Sequence, residues 1–164
     1  MQDLGRLELR RVDDLVQKEE KRNDALKSAS QYFKAAIEAA PARAFPWSLE
    51  VYTRLRSKAS SAELNELLRM SYFLGPDEAS SILLRVRVGC EIWSYLEADV
   101  RRFVGTDLER IWRNGALRSA LVPIYLSTPM ATRADIRRTI LLDERSERLF
   151  DQMLQKTIVA PKRS

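Results

Sequence analysis

The chain has 164 residues, 45% of them hydrophobic and 31% charged, the size and balance of one domain with a core of its own. It holds no histidine and a single cysteine, Cys90, which excludes an internal disulfide and leaves zinc without a usual ligand set and acid–base catalysis without its commonest base. The 28 basic residues exceed the 23 acidic ones by five; residues 1–98 carry 15 of each sign, so the whole excess falls in the last 66 residues.

From Asp3 to about Ala40 there is no proline, and after Gly5 no glycine. The stretch predicts one long helix, or two in tandem with a break at Asn23 or Asp24, both good N-caps. Leu26, Ala29, Tyr32, Phe33, Ala36, Ile37 and Ala40 step by three and four, as one helix face does. The earlier half is weaker, with Leu4, Leu7, Val12, Leu15 and Val16 followed by a polar run. A continuous helix would be about 55 Å long at roughly 1.5 Å per residue. That is more than a domain of this size needs, so residues 1–24 are expected to project and to meet a partner.

Pro41 and Pro46 bracket a short connection before a helix carrying Trp47, Val51, Tyr52 and Leu55. Ser60 and Glu63 form a capping box for the next helix, with Leu64, Leu67, Leu68 and Ser71 on its apolar side. Gly75 is expected as a left-handed C-cap, and Pro76 forbids continuation.

The stretch from Asp77 to Phe103 organises the prediction. Ala79, Ile82, Leu83, Val86, Cys90, Trp93, Leu96, Val100 and Phe103 make one stripe, and Leu84, Val88, Ile92 and Tyr95 a second. Leu84 to Val88 also alternates as a strand would, but the helical stripe runs past both ends of it without a turn signal, so a buried central helix over about 77–103 is the reading. Gly89 inside that helix costs roughly 1 kcal/mol against alanine, which implies close approach of another backbone and a crossing point there. Arg87 with Glu91, and Glu97 with Arg101, are spaced to pair along its wet edge.

Gly105 is read as the end of that helix, Thr106 with Glu109 as a new capping box, and Gly115 as the next stop. Ala116 to Leu126 reads as a buried helix that Pro123 kinks or ends. A last section starts at Thr128-Pro129 or Thr132, packs Ile136, Ile140, Leu141, Leu149, Phe150, Met153 and Leu154, and divides at Asp143. Residues 158–164 read as a frayed tail.

The fold class that follows is all-α: a single helical domain over 1–164, a compact multi-helix bundle of six to eight helices with a long N-terminal helix. No apolar run approaches the roughly 18 residues of a membrane span. The N-terminus has neither the basic region nor the apolar core of a signal peptide, so an intracellular, by default cytoplasmic, protein without membrane contact is expected. The glycines are too scattered for a phosphate loop, and no carboxylate stands out from the surface charge. No enzyme, cofactor or metal is therefore expected.

Two functions remain. One is an interaction or assembly protein that binds a protein partner or itself, a homo-oligomer or complex subunit, through Leu15, Leu26, Phe33, Phe45 and Trp47. The alternative is nucleic-acid binding through the basic C-terminal half, with Arg101, Arg102, Arg110 and Arg113 in one cluster and Arg133, Arg137 and Arg138 in another. A helix-turn-helix over Leu64 to Val88 is a weak match, because its second helix is too apolar to lie in a groove.

Overall fold

A computed structural model describes residues 19–140 and 143–159. Among them are eight α-helices: α1 (Glu19–Ala39), α2 (Ala44–Arg56), α3 (Ser61–Leu74), α4 (Ala79–Glu91), α5 (Ala98–Arg113), α6 (Leu121–Ser127), α7 (Met130–Ile140) and α8 (Glu144–Val159). Short 3-10 turns at Trp93–Tyr95 and Arg118–Ala120 complete them, and the described residues contain no strand. The expected all-α bundle is what the chain forms. Leu15 and the stretch expected to project lie mostly outside the described residues; from Glu19 onward α1 runs through Asn23 and Asp24 without the break allowed for there.

The packing has two hubs. Helix α2 lies against α1, α3 and α4, while α4 also touches α5 and α6; α5 then contacts α3, α6 and α7, and α6 contacts α8. One continuous core results, from Phe33 on α1 through Val51, Leu68, Val86, Val104 and Ile111 to Phe150 on α8. Full burial of each such large side chain contributes about 1.5–3 kcal/mol. At the C-terminal end the Phe150 ring meets Trp112 and Tyr125 edge-on, at centroid distances of 5.9 and 5.1 Å.

The uninterrupted central helix over 77–103 is corrected: the chain turns between Glu91 and Ala98. No glycine or proline marks the turn, because a residue thirty positions earlier satisfies the freed backbone. Asn65, buried on α3, donates to the Tyr95 carbonyl and accepts from the Glu97 N–H, both at 2.9 Å. The turn carries Trp93 and Leu96 into the core and folds α5 back onto α4. Gly89 sits where they cross, since an added Cβ would lie 2.6 Å from a Val104 methyl on α5, well inside contact distance. The expected crossing at Gly89 is therefore present, but what approaches is the Val104 side chain and not a backbone.

Other end signals divide in the same way. Ser60 caps α3, its hydroxyl accepting from the Glu63 N–H, but the Glu63 carboxylate turns to Arg54. Gly75 ends α3 with φ −159°, so the left-handed cap expected there is absent; a Cβ would instead meet that of Ala44 at 2.7 Å. Gly105 ends nothing and lies inside α5, where the Thr106 hydroxyl donates to the Arg102 carbonyl rather than capping a new helix. Pro123 falls in the first turn of α6, a position that needs no N–H donor. Asp143 accepts from the Ser146 N–H at 2.7 Å at the start of α8. The surface pairs are also reassigned: Glu91 binds Arg56, Glu97 binds Arg69, and Arg87 lies over the Tyr52 ring.

The largest fully buried side chain is charged. Arg85 on α4 donates Nε to Asp107 Oδ2 at 3.0 Å, Nη1 to the Gly75 carbonyl at 2.8 Å, and Nη2 to the Pro76 carbonyl at 3.1 Å. Its guanidinium lies over the Tyr72 ring, 4.2 Å from the centroid. One side chain thus ties the end of α3 to α4 and α5. Burial pushes the Asp107 carboxyl above its ordinary range against the pull of Arg85. Glu50 on α2 is buried as well; its Oε1 accepts from Ser30 at 2.8 Å while Oε2 finds no partner, and burial raises its pKa.

Two outcomes follow. Arg85→Met, which leaves the buried Asp107 only the 3.6 Å ion pair with Arg110 among the described residues, should lower stability in urea by roughly 3 kcal/mol, and Arg85→Met with Asp107→Asn should fall short of the summed single losses by about 1 kcal/mol or more. Strict additivity would contradict the coupling. For Glu50 the folded pKa lies above the unfolded value of 4.5, so the native state binds its proton more tightly and the residue's contribution to stability falls as pH rises through that range. The melting temperature of Glu50→Gln relative to wild type should therefore increase from acid to neutral pH; a constant difference would contradict it.

Candidate functional site

Three of the five residues expected to face a partner, Leu26, Phe33 and Phe45, are inside. Phe33 and Phe45 belong to the main core, and Leu26 is buried with Ala25 in a small cluster of its own. This corrects their assignment as contact residues: the stripe they form packs within the chain. Trp47 is half-buried, and its indole donates to the Pro41 carbonyl at 3.0 Å, closing the α1–α2 connection.

The exposed aromatics lie elsewhere, along the seam between α3 and α5. The two helices advance in parallel register there: Asn65 meets the 95–97 turn, Arg69 meets Glu97 and Asp99, and Tyr72 meets Phe103 with ring centroids 5.2 Å apart. Phe73, one turn beyond Arg69, is 80% exposed; Phe103, one turn beyond Asp99, is 39% exposed. Met70 shares the Phe73 face at a spacing of three, and Tyr95 stands exposed at the other end. The Arg69 contacts hold the Asp99 carboxyl down at about 2, and Asp99 and Glu97 in turn raise the guanidinium. Such exposed pairs add little stability, but they fix the relative placement of the two helices that carry Phe73 and Phe103; this α3–α5 seam is called the strip below.

Glu66 and Arg102 flank the strip. Both are exposed, and neither makes an ion pair among the described residues. Glu66 is two turns before Phe73 on its face of α3, while Arg102 neighbours Phe103, so acid and base stand at opposite ends. Sequence reasoning passed over Phe73, although a signal was present: it falls outside the Leu64, Leu67, Leu68, Ser71 stripe, and a large aromatic out of register with its helix's core face is exposed.

The seven arginines expected to meet phosphate are mostly engaged within the chain. Arg101 donates to the Leu96 carbonyl, Arg110 binds Asp77 and the Pro76 carbonyl, and Arg113 binds Glu109. Arg133 holds the carbonyls of Leu126 and Thr128, Arg137 binds Asp151, and Arg138 binds Asp135. Only Arg102 is without such a contact among the described residues. These contacts do not link the two clusters; Arg101, Arg110, Arg133 and Arg137 tie neighbouring segments together, while Arg113 and Arg138 pair within their own helices.

As chemistry, the strip offers apolar contact and placed charge rather than a nucleophile. The Cys90 thiol is buried, which pushes it up to about 12 and holds it protonated. Among the described residues no cluster of histidine, cysteine and carboxylate side chains could hold a metal ion, and no helix is long and apolar enough to cross a membrane. Compared with protein-family models, curated proteins and solved structures, the chain matches none of them.

Proposed function

We propose that the protein is a non-enzymatic assembly protein that pairs with a second copy of itself through the α3–α5 strip. What supports this is the 80% exposure of Phe73 on α3 and the 39% exposure of Phe103 on α5, the two helices of a seam already pinned by Arg69. An aromatic held outside on a rigid helix pair loses little conformational freedom when it is covered, which favours association over folding as the reason for its place.

The choice of a second copy rests on charge. A twofold axis through the strip brings Glu66 of one chain to Arg102 of the other, twice, with the aromatics between them. Elsewhere the net charge of +5 repels a like chain. Nucleic-acid binding through residues 101–138 has less to draw on, because six of its seven arginines already have partners within the chain.

Sedimentation at tens of micromolar should give a dimer for the wild type and a monomer for Phe73→Glu, with unchanged melting. Glu66→Arg should weaken pairing by on the order of ten-fold, and Glu66→Arg with Arg102→Glu should restore it. A monomeric wild type, or a charge-swapped protein that pairs no better than Glu66→Arg, would contradict the proposal.

A further inference from the structure

A second surface, independent of the strip, lies between α1 and the end of α2. It is a cleft of about 610 Å³ lined, among the described residues, by six cationic side chains, Arg22, Lys27, Lys34, Arg54, Arg56 and Lys58, and by no carboxylate. Arg54 and Arg56 are held from behind by Glu63 and Glu91. Arg22, Lys27, Lys34 and Lys58 make no ion pair among the described residues, and Arg22 Nε is buried without a hydrogen-bond partner. Lys34 also acts on the buried Glu50, but Arg22, Lys27 and Lys58 have no such counter-charge among the described residues, and cations gathered along one concavity repel one another and are relieved by an anion.

Lys58 gives an independent sign that the cleft is built for this. Helix α2 ends with the Ala59 N–H on the Arg54 carbonyl and the Lys58 N–H on the Leu55 carbonyl, the pattern that places its terminal residue in the left-handed region. Lys58 occupies that position with φ 61°, the one non-glycine residue with positive φ among those described. Glycine would fit there without strain. The lysine instead keeps a strained backbone and adds an ammonium group to the cleft wall.

We infer that the cleft takes an acidic, extended segment of a protein partner. From Arg22 to Lys34 the α1 wall is about 18 Å long at the helical rise, so its charges are spread too far to serve a single phosphate. Among the described residues no aromatic side chain lines the cleft, which gives a single nucleic-acid strand no stacking platform there. Buried Leu26, the lysine stems, Ser30 and Gln31 supply apolar and hydrogen-bonding contact between the charges.

Fluorescence anisotropy of a labelled oligoglutamate of about six residues, roughly 20 Å when extended, tests this on the full chain. Binding should weaken several-fold between roughly 50 and 300 mM salt and by on the order of ten-fold in Lys27→Glu with Lys34→Glu, both residues being exposed. Lys58→Gly should raise the melting temperature while lowering affinity, a combination that a purely structural lysine would not give. Equal binding by the lysine variants, no binding at the lower salt, tighter binding of an oligothymidylate of matched length, or displacement of the peptide by submillimolar inorganic phosphate would each overturn the inference.

Discussion

The Arg85 guanidinium, wholly buried between α3, α4 and α5, is the constraint on which the rest of the fold depends. Ending eight helices within so short a chain leaves many carbonyls without N–H partners, and each must find a donor. Left-handed glycine caps do not supply them, since no glycine among the described residues has positive φ. Arginine does: Arg85 covers the end of α3, Arg101 the Leu96 carbonyl before α5, Arg118 that of Trp112, and Arg133 those of Leu126 and Thr128. A planar fork of several donors can serve two carbonyls at once, which a lysine ammonium does with less precision. The excess of arginine over lysine therefore has a use inside the molecule.

That use also separates what was legible in the sequence from what was not. Helical periodicity, the Ser60 cap, the start of α8 at Asp143 and the tight crossing at Gly89 are local signals, and each appears where it was read. The turn at 92–97 was not legible, because its backbone is satisfied by Asn65 from another helix and neighbouring residues give no sign of it. Gly105 misled for the converse reason: a glycine is a stop only when the backbone needs one, and here α5 continues through it beside Thr139. The contact residues were misplaced because periodicity finds the buried face, and Leu26 and Phe33 are on it. Arg85 shows the same limit, since a charge on an apolar helix reads as surface until its partners, fourteen or more residues away for Ser71 and Asp107, are brought to it.

The two proposed surfaces divide the charge of the molecule between them. The α3–α5 strip is apolar, with one acid and one base at its ends and its inner charges paired. The α1–α2 cleft gathers unpaired cations although the N-terminal half of the chain is neutral overall. Net charge therefore gave an incomplete guide to location: Arg101, Arg110 and Arg133 of the C-terminal half are engaged at helix junctions, while a concave cluster of cations lies in the other half. A protein that pairs through one face and holds an acidic segment on another can join two partners side by side, which is an assembly role rather than a catalytic one.

Hydrogen–deuterium exchange on dilute and concentrated wild-type protein tests the self-pairing most directly, because it reports which surface is covered without a substitution. The account predicts added protection at high concentration in residues 66–73 and 99–103, with residues 22–34 unchanged. Protection that does not vary with concentration, or that rises at 22–34 instead, would contradict it.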